Sequence, residues 1–542
     1  MKNAPIEIFN NEISKVFSFL EKKFTVTVFL IFLTSLAIRL VFTPFDVLPQ
    51  GDGYIYVLKS LEITRGNFTP IRTHAIGWPL VMAFFFYFFK SESIFRYMIY
   101  ARIISGIIGA LCVFPLACIG SKLFNRKRDV FLLLVFFSFS PYMILYSISA
   151  LSEPLFTFLL LWCIYFIIRA KENRNNILIS SIIGAFAYYV RPNGIFILFI
   201  ILLSFCILSY ISRKQILTSD FFYVIFIIFI FFLISAPFLY QRYIHFGSPF
   251  FYGENSKFFV DKYEEVWCSN IKNPSIWEYI KTHKYEDYIT RFIIDGIGRI
   301  LVDYSLITNP IILPFFLFGV IKTFSKPEFI PLIVSLVIWI VCFTPIWSIF
   351  HNGRHLVPTL PFILAIGVFG LNIFVKKLRH PYFFILVIVT FFILFSLSAC
   401  FLAWLRYEYY HKPIQIARLK FAEWISKNVK GKIAIPYDGT LIMVYLPDAT
   451  VGGVGLYDLY APISNVSIMD PGCFNNISSA MEWFRDMKVT HIVIDKLRIK
   501  RKPYTYLKDV LNQKNKKCLI ELHSDHNNER KIYYINWSAC EV

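Results

Sequence analysis

For roughly its first four hundred residues the chain alternates between long apolar runs and short polar loops, and then it changes character. Apolar runs occupy 24–42, 100–120, 130–148, 153–170, 177–190, 194–211, 220–240, 304–322, 329–347, 355–375 and 381–404. Each approaches the ~20 residues that a helix needs to cross a bilayer core, so the pattern predicts about eleven transmembrane helices. The first follows Glu21-Lys22-Lys23 and reads as a signal anchor, with no cleavable signal peptide ahead of it. The run from Pro79 to Phe89 is apolar but half a span long, which predicts a helix lying at the interface or re-entering it. From Arg406 onward the chain turns soluble. Ile416, Leu419, Ala422, Trp424 and Ile425 recur at helical spacing; strands are expected at 432–436, 491–495, 519–522 and 531–536, with a helix over 478–487. The expected organisation is an N-terminal segment 1–23, a transmembrane domain 24–405 with long loops 43–99 and 241–303, and an α/β domain 406–542.

Composition agrees: 57% of residues are hydrophobic, 17% are charged, and mean hydropathy is +0.58. So few charges cannot clothe a water-soluble surface of this size. Ten cysteines in 542 residues are too sparse for a disulfide framework. The net charge of +20 admits nucleic acid, anionic lipid or membrane topology as its cause. Its distribution chooses topology. Lys122, Arg126, Lys127 and Arg128 share one loop; Arg169, Lys171 and Arg174 a second; Arg213 and Lys214 a third; Lys376, Lys377 and Arg379 a fourth. With the spans above, all four loops and the N-terminus fall on one side, and the positive-inside rule makes that side the cytoplasm. The chain is thus expected in the plasma or inner membrane, N-terminus cytoplasmic and C-terminal domain outside. Nucleic acid is not required.

The same topology gathers a set of ionisable residues at the opposite, outer boundary, where burial near lipid argues for function. Asp46 and Asp52 follow the first span, and His74 precedes the short apolar helix. Glu153 opens a span, Arg191 sits in the turn Val190-Arg191-Pro192-Asn193-Gly194, and His351, Arg354 and His355 share one turn. A carboxylate there can take a proton from an acceptor, and arginines can neutralise a phosphate leaving group bidentately. The combination describes transfer of a group from a lipid phosphate. Plainer roles exist for each. Asp52 can cap a helix, Glu153 ahead of Pro154 can complement a helix dipole, and the arginines can snorkel. The histidines show no metal-ligand spacing.

Gly51-Asp52-Gly53-Tyr54-x-Tyr56, then Gly66 and His74-Ala75-Ile76-Gly77-Trp78-Pro79-Leu80, resembles the first outer loop of the GT-C glycosyltransferases, which include protein O-mannosyltransferases and lipid A aminoarabinose transferases. Ser140-Pro141-Tyr142-x-x-x-Tyr146 with Leu151-Ser152-Glu153-Pro154-Leu155, Arg191-Pro192-x-Gly194 and Arg354-His355-x-x-Pro358-x-x-Pro361 resemble later segments of that family. The resemblance covers roughly residues 25–375. It implies a polytopic GT-C-like membrane protein with its α/β domain on the outer face, and inverting transfer from a polyprenyl-phosphate sugar. Asp52 would be the general base, Glu153 would organise the site, and Arg191 and Arg354 would lie near the donor phosphate. Tyr54, His74, His351 and His355 complete the implied substrate-binding set. Two departures stand out: Gly53 replaces the acid of the usual Asp-Glu pair, leaving Asp46 as a rival base, and Trp78-Pro79 replaces Pro-Pro. The implied partners are a membrane lipid-linked sugar and an acceptor lipid, polysaccharide or protein. No cofactor beyond that donor is called for, and a divalent metal stays compatible. The rival reading is a transporter or flippase of a lipid-linked substrate; a binding scaffold without activity is a third.

Overall fold

The computed structural model describes all residues except 1–3, 47–48, 50–51, 72–73, 92–93, 216–217, 251–258, 261–275, 350–351, 436–449, 452–465, 470–473, 475–476, 497–505, 508–517, 526–529 and 541–542. Backbone contacts divide it into two compact units, one of residues 1–70, 75–245 and 289–405, the other of residues 71–74, 246–288 and 406–542.

The first unit is helical. In order it carries α1 (Ala4–Lys22), α2 (Phe24–Val41), α3 (Asp52–Thr64), α4 (Gly77–Phe88), α5 (Ile94–Leu111), α6 (Val113–Leu123), α7 (Lys127–Phe139), α8 (Pro141–Ser147), α9 (Glu153–Arg169), α10 (Asn176–Val190), α11 (Ile195–Arg213) and α12 (Thr218–Phe246). Seven helices among the described residues are long and apolar enough to span a bilayer, or eight if the pair α7 and α8, bent by 53°, counts as one. The chain is a multi-pass integral membrane protein, with fewer full-length spans than the eleven expected. Three of the expected spans fall short. Helix α9 has 17 residues and α10 has 15, and at ~1.5 Å per residue α10 covers only about 22 Å of a ~30 Å core. The run expected at 304–322 is interrupted at Asn309-Pro310, where the Asn309 side chain accepts from the Ile311 backbone N–H (3.0 Å) and donates to Ser396 (3.1 Å). Asn309-Pro310 thereby separates Gly298–Ile307 from Leu313–Thr323. The short apolar helix expected at 79–89 is α4, 12 residues long.

The basic loops meet at one end of this unit. Lys122 pairs with Glu172 (2.5 Å), Lys171 with Glu328 (3.0 Å), Arg379 with Glu7 (3.0 Å) and Arg174 with Asp220, while Arg128 donates to Asn372 (2.9 Å). Loops far apart in sequence are thereby tied together, and the clusters gathered from the sequence do share a side. At the other end, α2 carries Arg39, fully buried, which donates to Ser147 Oγ (2.9 Å) and to the Ser35 carbonyl (2.9 Å). A buried cation in an apolar bundle is costly; Nε and Nη1 of Arg39 offset part of that cost by tying α2 to the end of α8, while Nη2 has no hydrogen-bond partner among the described residues. The turn leaving α8 puts Ala150 in the left-handed region (φ 57°), a conformation costing about 1–2 kcal/mol for a residue with a Cβ.

After α12 come α13 (Ile276–Thr282) and α14 (Tyr285–Tyr288), which belong to the second unit, then α15 (Gly298–Ile307), α16 (Leu313–Thr323), α17 (Ile330–Trp347), α18 (Leu360–Val375) and α19 (Pro381–Arg406) in the first. The second unit continues through α20 (Lys412–Asn428) and a helix α21 (Ile477–Asp486) around a six-stranded mixed sheet. Its strands are β1 (Gly431–Ala434), β2 (Thr450–Val451), β3 (Val466–Met469), β4 (His491–Asp495), β5 (Leu519–Ser524) and β6 (Arg530–Ile535), in the order β2-β3-β1-β4-β6-β5. Strands β1 to β4 pair in parallel, and β6 runs antiparallel to β4 and β5. Ala480, Met481 and Phe484 of α21 pack on Ile492, Ile494 and Ile535. Ala422 and Ile425 of α20 are buried as their spacing predicts, while Ile416 is exposed. Cys518 lies in this core and Cys540 packs against it, both as thiols; Cys268 and Cys473 lie outside the described residues.

Candidate active site

The site is built from ends of elements of the first unit, and each end has a local cause. Asp52 occupies the first turn of α3. Pro154, compatible with a first helical turn where no N–H is needed, starts α9 with Glu153 in its first turn. Arg191 closes α10 and is extended (φ −149°, ψ 142°), as expected of the residue before Pro192. Arg354 sits in the 3₁₀ turn Gly353–His355, whose start is capped by the Asn352 side chain accepting from the Arg354 backbone N–H (3.3 Å).

These four side chains meet. Arg354 pairs with Asp52, and its Nε stands 3.7 Å from Glu153 Oε1. Arg191 Nη1 stands 2.5 Å from the same oxygen. Glu153 is 2% exposed and Arg191 8%, so their charges are held almost wholly by one another. Two carboxylates face two guanidiniums, and the cluster carries no net charge. Arg191 Nη2 also donates to His355 Nδ1 (2.7 Å). Arginine can only donate, so any proton on the ring sits on Nε2. His355 is placed in turn by Trp339, whose indole N–H donates to its carbonyl (2.8 Å), and by the Phe343 ring, 5.8 Å away.

Two residues join that the sequence did not assign. Ser152 Oγ lies 3.3 Å from Tyr56 OH and 3.4 Å from Arg191 Nη1, bridging α3 to α10. Burial, and then the neighbouring Asp52 carboxylate, push the Tyr56 phenol up, with Arg191 opposing, so Tyr56 stays protonated and able to donate. The sequence singled out Tyr54. On a helix that residue stands about 200° from Asp52, whereas Tyr56, four residues on, shares its face. Both tyrosines are buried, so burial does not separate them and the helical phase does. The i, i+4 spacing was the signal that distinguishes the two tyrosines. Asp46, the rival base, is exposed in the turn after α2, and His74 is buried and groups with the second unit. Neither takes part in the contacts of Glu153, Arg191 or Arg354. His351 lies outside the described residues. Among the described residues no three of His, Cys, Asp and Glu cluster to hold a metal.

Both departures from the motif that the sequence resembles have local structural counterparts. A Cβ at Gly53 would lie 2.6 Å from the Ser149 carbonyl oxygen, so α3 packs flush against the strained turn and no acid fits there. Trp78 is fully buried and donates through Nε1 to the Ala150 carbonyl (2.9 Å), locking α4 to the same turn. A Gly53→Ala variant is expected to lose about 1–3 kcal/mol from overpacking, read as a lower unfolding temperature of the purified protein. Unchanged stability would show that the turn yields freely.

Residues 73–240 match the dolichyl-phosphate-mannose-protein mannosyltransferase family, a stretch that contains Glu153 and Arg191. No curated protein sequence matches the chain. The fold is similar to that of the Archaeoglobus fulgidus oligosaccharyltransferase, solved with zinc and sulfate, at 12% identity and a TM-score of 0.59 over 94% of this chain and 74% of that one. The same enzyme tethered to an acceptor peptide gives 13% identity and a TM-score of 0.59, over 90% of this chain and 71% of that one. ArnT of Cupriavidus metallidurans bound to undecaprenyl phosphate gives 13% identity and a TM-score of 0.55, over 94% of this chain and 98% of that one.

Proposed function

We infer that this chain, through the family its residues 73–240 match, is a GT-C glycosyltransferase dependent on a lipid-phosphate sugar, and that the cluster of Asp52, Glu153, Arg191 and Arg354 is its active site. The carrying observation is that cluster: four ionisable side chains from four separate helix ends, paired with one another in a largely buried setting. A structural ion pair needs two partners. Four, brought from positions 52 to 354, form a charge-balanced site into which an anionic lipid phosphate can insert.

The chemistry follows from the atoms present. The donor phosphodiester competes with Asp52 for the donors of Arg354, and releasing that ion pair frees the carboxylate to face the acceptor. Asp52 takes the proton from the acceptor hydroxyl or amine as its oxygen or nitrogen bonds to the anomeric carbon. The anomeric carbon–oxygen bond breaks on the opposite side, so configuration inverts, and the electron pair leaves with the phosphate oxygen. The second negative charge that develops on that phosphate is met by Arg354 and Arg191, whose planar donors suit it bidentately. Glu153 holds both guanidiniums in place between turnovers, and Tyr56 and Ser152 keep Arg191 aligned.

The short loops at the other end of the unit hold most of the basic clusters, and the positive-inside bias supports a cytoplasmic position for that end and a reaction on the outer side. A polyprenyl-phosphate donor of the class that ArnT holds, and an acceptor lipid, polysaccharide or protein, fit that placement. Cells lacking the protein should lose one class of surface glycan by mass spectrometry and regain it with the wild-type chain. An unchanged glycan profile in the deletion strain would sink the assignment.

A further inference from the structure

The ion-paired cluster accounts for the phosphate and the proton. It leaves the adjoining wall unexplained. Tyr146 and Tyr142 stand one turn apart on α8 with rings stacked 6.2 Å centre to centre at 25°. Both are half-buried, and neither hydroxyl has a partner among the described residues. Glu153 and Arg354 act electrostatically on Tyr146, while Asp303 of α15 acts on Tyr142. Asp303 Oδ2 accepts from Trp347 Nε1 (2.6 Å). Trp347 is fully buried, with its ring 6.4 Å from that of His355, the residue to which Arg191 donates. Direct contacts thus link Asp303 through Trp347, His355 and Arg191 to Glu153, and the stacked pair Tyr142 and Tyr146 lies within electrostatic reach of both ends.

An indole N–H does not need a carboxylate. Trp78 and Trp339 in the same unit are satisfied by backbone carbonyls. Half-burying a carboxylate is costly, and among the described residues Asp303 uses one of its two oxygens. A sugar ring offers hydroxyls to such an oxygen and a face of C–H groups to stacked aromatic rings, the mixture of apolar wall and few polar anchors that small-ligand sites show. In a lipid-phosphate sugar a single oxygen separates the ring from the phosphate. A ring whose phosphate sits at Arg354 must therefore lie within a sugar's width of that arginine, which acts on Tyr146.

We propose that Asp303, Tyr142 and Tyr146 form the subsite for the donor's sugar, with Asp303 accepting its hydroxyls and the stacked tyrosines covering its C–H face. This rests on the reading given under the proposed function. The test measures binding to purified protein in nanodiscs of undecaprenyl phosphate, bare or charged with mannose or glucose. Wild-type protein should bind at least one charged lipid more tightly than the bare one; equal binding of all three removes the donor reading and the subsite with it. Asp303→Asn keeps an acceptor for Trp347 but loses the charge. It should weaken the charged lipid about tenfold to a hundredfold, the worth of hydrogen bonds to a charged group, and leave bare undecaprenyl phosphate unchanged. Trp347→Phe removes the indole bond alone and should keep the charged lipid bound. If Asp303→Asn leaves both lipids unchanged, or weakens both equally, the subsite is overturned while the donor reading stands. If Trp347→Phe reproduces the loss, Asp303 acts only by holding the tryptophan, and the subsite is likewise overturned.

Discussion

Asp52→Asn should lower the rate of sugar transfer by about 10²–10⁴-fold, the contribution expected of a positioned general base. The amide is nearly isosteric and still accepts from Arg354, so the geometry around α3 should survive. It cannot take a proton from the acceptor. Donor binding should hold, because the phosphate contacts come from Arg354 and Arg191, and the loss should fall on kcat rather than KM. Asp46→Asn provides the contrast. Asp46 is exposed and takes no part in the contacts of Glu153, Arg191 or Arg354, so its amide should transfer sugar at close to the wild-type rate. A result in which Asp46→Asn is inactive and Asp52→Asn is active would exchange the two roles.

The second large effect concerns Glu153. Its side chain is buried beside Arg191 at 2.5 Å and Arg354 Nε at 3.7 Å. Glu153→Leu leaves a buried guanidinium without its counter-charge, and breaking such a pair costs about 3–5 kcal/mol. Thermal unfolding of the purified protein should register that loss. Replacing both partners, Glu153→Leu with Arg191→Met, removes the orphaned charge and should recover most of the stability. Activity should not recover, because Arg191 is then missing from the phosphate site. A double variant that regains both stability and transfer would reduce the pair to a structural device. A Glu153→Leu variant as stable as wild type would mean that water reaches the cluster.

The helical membrane architecture was legible from apolar run lengths, and the site from where ionisable residues interrupt them. Asp52, Glu153, Arg191 and Arg354 stand at element ends, a position that a linear pattern reports well. What the pattern could not report was which of them touch. That Arg354 reaches Asp52 across about three hundred residues is a tertiary fact. Tyr56 lies in the same motif as Tyr54, and its place on the Asp52 face follows only once the helical phase of α3 is known. The count of spans exceeded the full-length helices because hydropathy does not register where a helix stops; Asn309-Pro310 divides one run, and α10 is 15 residues long. Helix α1 carries Ile6, Phe9, Ile13, Phe17 and Leu20 at helical spacing, but with polar residues between them it forms no apolar run, and run length alone passes over it. Strands β2 and β3 are two and four residues long, too short for an alternating pattern to show in the sequence.

The most direct test of the account follows a labelled sugar. Purified protein in nanodiscs, given polyprenyl phosphate charged with radiolabelled sugar and an acceptor fraction from the deletion strain, should move label to the acceptor. One polyprenyl phosphate should be released per sugar moved, and the product should have the opposite anomeric configuration to the donor. Transfer without release of the lipid phosphate, with retained configuration, or at an undiminished rate in Asp52→Asn would contradict it.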